Sequence, residues 1–203
     1  MIKAVFPIYE RGKTMKVAIF EVCRRPEVSK PNTEAIVLSR CFSDLGVEFE
    51  LYTNDGIWAE RPKAGSIVDR NLIKNRLSDS DIDVAHFAVH GSPEGLVLNW
   101  SGPCHNRIAA DILTGPEIRA MEEFRGKLVV SGACGSASLA SDFLSTGASA
   151  FVAPQVEIPW KNLGIFFQAF YAALQAGSTA EVALRSAILD NPELTSYRVY
   201  SRI

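Results

Sequence analysis

Two residues stand out for what they could do to a carbonyl group. His90 and Cys134 each follow a short apolar run, Val84 to Val89 and Leu128 to Val130. Each also stands beside glycine, Gly91 after the histidine and Gly132 and Gly135 around the cysteine. A thiolate is a strong nucleophile, and an imidazole within reach of it acts as general base or protonates a leaving amine. The chemistry of such a pair is acyl transfer. Glycine allows backbone to approach a substrate closely. The N–H groups of Gly91 and Cys134 are therefore candidates for holding the oxyanion of a tetrahedral intermediate, typically the largest electrostatic contribution in these reactions. A helix beginning a few residues after Cys134 would favour the negative charge of the thiolate.

Taken singly, either residue has a plainer reading. A cysteine in a strand-to-helix turn is commonly a small buried hydrophobe, and an isolated histidine a satisfied polar residue. Their common placement, past buried strands and next to glycine, sets the pair apart. His86 lies within the strand that precedes His90 and shares its face. No third metal ligand is evident, so His86 reads as a packed strand histidine and no metal is expected. Cys104 and His105, after Pro103, read as surface loop, and Cys23 and Cys41 as core. Asp142 and Glu94 are carboxylates that a Lys or Arg substrate side chain could meet, with solvated surface charge as the competing reading.

Both residues need elements that hold them. Apolar runs alternate with helix-period segments, the pattern of a parallel sheet covered on both faces. Strands are expected over Lys16 to Val22, from Val47 through Leu51, over Val84 to Val89, Lys127 to Ser131 and Ser149 to Ala153. Helices are expected from Thr33 to Leu45, opening between Gly65 and Asp69, from an N-cap at Thr114 to Phe124, and over Ser138 to Ser145, Leu163 to Gln175 and Thr179 to Leu189. Gly95 to Trp100 reads as a hairpin arm, and Pro192 as the close of the regular structure. The fold class is α/β, with a mostly parallel central sheet and helices on both faces. In such sheets ligands bind beyond the carboxyl ends of the strands, where His90 and Cys134 fall.

The chain's 203 residues, 47% hydrophobic and 22% charged, suffice for one buried core, and residues 1–203 read as a single domain. A net charge of -2 without a basic stripe argues against nucleic acid as a partner. No apolar stretch is long enough to span a bilayer, and residues 1–16 lack a secretory signal, so a cytoplasmic protein without a membrane partner is expected. The four cysteines show no Cys-x-x-Cys spacing, and no cofactor is expected.

The order of these motifs resembles the caspase–gingipain–separase group of cysteine peptidases, and most closely its bacterial CHAT branch. The matching segments are Val89-His90-Gly91, Gly95-Leu96-Val97-Leu98 and Leu128 through Ser131-Gly132-Ala133-Cys134-Gly135. Ala148 to Val152 and the helix Ala180 to Ile188 match as well. The interval from position 90 to 134 is compatible with the caspase pattern, in which the histidine lies about 50 residues before the cysteine. The likeness is close over Asp83 to Asp190 and rests on element order before that.

It implies a caspase-like three-layer sandwich and a cysteine endopeptidase with His90 and Cys134 as its dyad. It further implies a protein or peptide substrate and a separate regulatory subunit in a bacterial signalling or defence module. Substrate-pocket residues would include Gly132, Asp142 and Trp160. Caspases place Gln, and several basic-specific relatives Asp, where this chain has Gly132, which removes the simplest clue to side-chain preference. A catalytically silent caspase-like scaffold that binds a partner protein is the alternative. A cysteine-elbow hydrolase is disfavoured, because no histidine follows Cys134.

Overall fold

The apolar runs and helical periods assemble into a layered sheet in the computed structural model, which describes residues 14–22, 34–53, 68–101 and 108–202. In chain order the first elements are β1 (Lys16–Glu21), α1 (Glu34–Leu45), β2 (Glu48–Thr53), α2 (Arg70–Leu77) and β3 (Val84–Ala88). A small excursion follows through β4 (Gly91–Ser92), β5 (Gly95–Ser101) and β6 (Ile108–Thr114), then α3 (Gly115–Arg119). The chain returns to the main sheet with β7 (Leu128–Ser131), α4 (Ala140–Ser145), β8 (Ala150–Pro154), α5 (Leu163–Gln175), α6 (Ala180–Asp190) and β9 (Tyr197–Ser201).

Among the described residues, six strands form the main sheet in the order β2-β1-β3-β7-β8-β9. All are parallel except β9, which runs antiparallel to β8 at one edge. The fold is α/β with helices on both faces. Side chains alternate across a strand, and both faces are apolar. Val17, Ile19, Val84, Leu128, Val130 and Val152 face the layer of α1, α5 and α6. Ala18, Phe20, Ala85, Phe87, Val129 and Phe151 face the layer that carries Ile73, Ile118 and Phe143. A strand buried on both sides has no polar stripe, which is why these runs read as continuous hydrophobics.

β4, β5 and β6 form a second, antiparallel sheet beyond the end of β3. It is tied to the main fold where the Val97 N–H donates to the His90 carbonyl at 2.9 Å. Arg70 at the start of α2 holds its other side. The Arg70 guanidinium donates to Asp111, to the Ile112 carbonyl at 2.6 Å and to Glu117 Oε1 at 2.6 Å. Thr114 is the N-cap of α3, as expected, and Glu117 reaches back to the Thr114 N–H at 2.8 Å.

The structure departs from the sequence reading in three places. β6 occupies a stretch to which the sequence reading assigned no element; its Ala-Ala-Asp centre has weak strand propensity, and pairing with β5 overrides it. α3 stops at Arg119, and a separate 3-10 turn spans Glu122–Phe124. β9 lies after Pro192, where regular structure was expected to have ended. Asp69 caps α2; Gly65, Cys23, Cys104 and His105 lie outside the described residues. Cys41 is buried as expected. No helix among the described residues is long and apolar enough to cross a membrane.

Candidate active site

β3 and β7 are parallel neighbours, with Phe87 opposite Ser131, so both strands deliver the chain to the same edge of the sheet. The turn after β3 carries His90 and Gly91; the turn after β7 carries Cys134. The two turns touch. A Cβ placed on Gly91 would lie 2.0 Å from the Cys134 carbonyl oxygen and 3.2 Å from its nitrogen. Any residue but glycine at 91 would therefore force the turns apart. His90 and Cys134 are both half-buried, and Cys134 is a free thiol.

The cysteine turn is pinned from several sides. The Gly132 N–H donates to the Phe87 carbonyl at 2.9 Å, which extends the ladder between the two strands. The Ala133 N–H donates to Ser131 Oγ at 3.2 Å, and the Ser136 hydroxyl lies 2.8 Å from Ser131 Oγ and 2.7 Å from the Ala133 carbonyl. Beyond the turn, the Gly135 N–H donates to the Val156 carbonyl at 3.1 Å. The Cys134 thiol faces the Ile158 carbonyl at 3.9 Å, so the segment after β8 walls the sulfur on one side. The Cys134 N–H has no acceptor among the described residues, which leaves a donor beside the sulfur. Fixed donors of this kind stabilise developing charge without reorganising.

A polar group lies beneath this turn, on the face covered by α1 and α5. His86 is fully buried; its Nε2 lies 2.8 Å from Glu34 Oε1 and its Nδ1 2.8 Å from the Tyr171 hydroxyl. One tautomer satisfies both contacts, with the Nε2–H donating to the carboxylate and Nδ1 accepting from the phenol. Glu34 comes from the first turn of α1 and touches the cysteine turn through Gly132. A Cβ on Gly132 would sit 2.5 and 2.6 Å from the two Glu34 carboxylate oxygens. Tyr197, from β9, is wholly buried, and its hydroxyl has no partner among the described residues. Burial, followed by the charges of Glu34 and Cys134, pushes the Tyr197 phenol well above its ordinary range.

Of the other residues singled out from the sequence, Gly132 is at the site. Asp142 is committed elsewhere: it is 9% exposed, ion-pairs with Arg119, and packs where a Cβ on Gly115 would be 2.5 Å from its Oδ2. Its carboxylate joins α3 to α4. Glu94 is exposed in the β4–β5 turn, with its N–H donating to Ser92 Oγ at 3.2 Å. Trp160 begins a 3-10 turn before α5, and its side chain lies outside the described residues. Sequence reasoning missed Glu34 and Tyr197. The acidic first residue of α1 was a weak signal for Glu34, and the alternation of β9 a weak one for Tyr197.

The position of this cluster agrees with the topology. The chain moves from β1 outward to β2, then returns to the other side of β1 to place β3. Strand order reverses there, and crevices form at the carboxyl ends of strands on either side of such a reversal. Glu34 follows β1 in the chain, and His90 follows β3.

No curated protein matches the chain. Among solved structures, it is similar to the ADP complex of Bacillus subtilis pyridoxal kinase, at 11% identity over 86% of this chain and 89% of that one, with a TM-score of 0.39. It is also similar to the imine reductase BcSIRED from Bacillus cereus BAG3X2, at 11% identity over 86% of this chain and 59% of that one, with a TM-score of 0.38. Superpositions this loose say nothing about the chemistry of this chain. The family model of the CHAT domain matches residues 27–198, which takes in β3, β7 and both of the turns just described, and the chain belongs to that caspase-like family.

Proposed function

We propose that this CHAT-domain chain is a cysteine endopeptidase in which Cys134 attacks the scissile carbonyl and His90 handles the protons. The observation that carries the reading is the contact between the two turns, where Gly91 admits no side chain because the Cys134 backbone lies against it. Sulfur and imidazole then belong to one short stretch of the sheet edge.

In the first step the Cys134 thiol gives its proton to His90, the S–C bond forms and the carbonyl π electrons move onto oxygen, which the N–H groups of Cys134 and Gly91 hold. Collapse of that intermediate breaks the C–N bond, and the amine leaves with a proton from His90. Water, deprotonated by His90, then attacks the thioester. Expulsion of the thiolate, which recovers its proton from His90, releases the carboxylic acid product and restores the enzyme. We place the residues 1–203 in one peptidase domain acting on a protein or peptide substrate, under a separate regulatory subunit.

The test is cleavage of a positional peptide library by wild type and by Cys134→Ala. The variant is expected to lose roughly 10³-fold or more, and His90→Ala a comparable amount. The double variant should lose no more than either, because the residues act as a unit. Full cleavage by Cys134→Ala refutes the assignment. A wild type that cleaves nothing, with or without added partner proteins, supports the scaffold reading instead.

A further inference from the structure

We propose that Ser136, with Ser131 behind it, is a positioning residue for the oxyanion. Its hydroxyl holds the carbonyl of the Ala133–Cys134 peptide and so aims and strengthens the Cys134 N–H. This rests on the peptidase reading above and adds two residues to its machinery.

The flanks of the cysteine turn are held by backbone: the Gly132 N–H donates to Phe87 and the Gly135 N–H to Val156. The peptide between them, Ala133–Cys134, depends on Ser136. A backbone bond from the Ser136 N–H closes the turn onto the Ala133 carbonyl, but it is long at 3.3 Å. The Ser136 hydroxyl reaches the same carbonyl at 2.7 Å and is the stronger donor. Its oxygen also lies 2.8 Å from Ser131 Oγ, which accepts the Ala133 N–H at 3.2 Å. Each hydroxyl has one proton to give, and a carbonyl can only accept. The Ser136 proton therefore goes to the Ala133 carbonyl, and the Ser131 proton to Ser136 Oγ. Residue 133 is closed at both ends by one ring of hydrogen bonds. Ser131 is fully buried and Ser136 nearly so, which shields that ring from water.

The braced carbonyl and the Cys134 N–H belong to the same peptide, which is planar and trans, so they point in opposite directions. Turning the carbonyl toward the buried serines turns the N–H away from them. That N–H has no acceptor among the described residues. A hydrogen bond to the carbonyl also polarises the amide and makes its N–H a better donor, by roughly 10–30% per bond. Both effects reach the oxyanion through Cys134, and neither serine touches the substrate. A donor that must already be in place when charge develops is the kind that gains from such bracing.

Two reactions of Cys134, compared in the whole chain, test this. Cleavage of the fastest peptide from a fluorogenic positional library builds an oxyanion. Alkylation by iodoacetamide builds none: the thiolate forms an S–C bond and iodide leaves. Ser136→Ala should lower kcat about tenfold, short of the 10²–10³-fold cost of losing a donor outright, with KM within about twofold. Its alkylation rate at Cys134, read by peptide mass, should stay within about twofold of wild type. Ser136→Thr, which keeps the hydroxyl, should hold kcat within about threefold. Wild-type kcat in Ser136→Ala overturns the role of Ser136, as does a folded Ser136→Thr that is equally slow. A joint fall of cleavage and alkylation also overturns it, since that marks a merely disturbed turn. If Ser136→Ala does not fold, Ser131→Ala decides: kcat should drop about threefold with alkylation unchanged, and an unchanged kcat overturns the ring. A wild type that is alkylated at Cys134 but cleaves no peptide overturns the peptidase reading, and the role of Ser136 with it.

Discussion

At the scale of single residues the account depends on two glycines and what occupies the space they leave. Gly91 admits the Cys134 backbone, and a methyl there would meet a main-chain carbonyl that cannot swing aside. Gly91→Ala should therefore lower stability in urea unfolding by about 1–3 kcal/mol, the range for overpacking. It should also depress peptide cleavage beyond what the unfolded fraction explains. An alanine variant with wild-type stability and activity would mean that the turns do not touch. That the turns of His90 and Cys134 lie at strand ends was legible from the sequence, because each carries a local mark, an apolar run before it and glycine beside it. Glu34 was not. Its partners His86 and Gly132 are distant in sequence, and nothing local to α1 announces that an acid there is aimed beneath a cysteine turn.

Secondary-structure elements decide how firmly those turns are presented. The excursion from β4 to α3 begins at His90 and is held to the body by Arg70, which binds Asp111 and Glu117 together. The Arg70 guanidinium, joined by the Thr114 N–H and hydroxyl, lowers the Glu117 carboxyl from 4.5 to about 2 against the opposing effect of burial. A carboxyl depressed on folding stabilises the native state above its unfolded value and ceases to do so as pH falls through the folded one. Wild type should thus exceed Glu117→Gln in urea midpoint at pH 7. That gap should persist to near pH 5 and close between about 4.5 and 2. Since Glu117 is 38% exposed, solvent screening keeps the difference within about 1 kcal/mol. A gap independent of pH would assign the effect to packing instead. Strands β1, β3, β7 and β8 were legible because they are buried on both faces. β6 was not, since a strand made by pairing with β5 carries little propensity of its own.

For the molecule as a whole, β9 closes the sheet at the edge beside β8. Tyr197 packs against Phe166 at 4.7 Å and edge-on to Phe167 at 5.6 Å between ring centroids, and its buried hydroxyl has no partner among the described residues. Tyr197→Ala should cost roughly 3–5 kcal/mol in urea unfolding, as for other large aromatic truncations. Tyr197→Phe removes an unpaired buried hydroxyl and keeps the ring, so its stability should match or exceed wild type within about 1 kcal/mol. A large loss for Tyr197→Phe would show that the hydroxyl has a partner after all. The sequence reading stopped at Pro192 and so missed the last strand.

The central claim, that Cys134 and His90 face one peptide bond across the touching turns, is tested most directly by a crystal structure of the protein after reaction with a peptidyl acyloxymethyl ketone, whose methylene is attacked by the thiol with loss of a carboxylate. The account predicts a thioether at Cys134 Sγ, the probe's carbonyl oxygen at the Cys134 and Gly91 N–H groups, and the His90 ring against the sulfur. An adduct on another cysteine, or one on Cys134 whose carbonyl points away from both the His90 ring and those N–H groups, would contradict it.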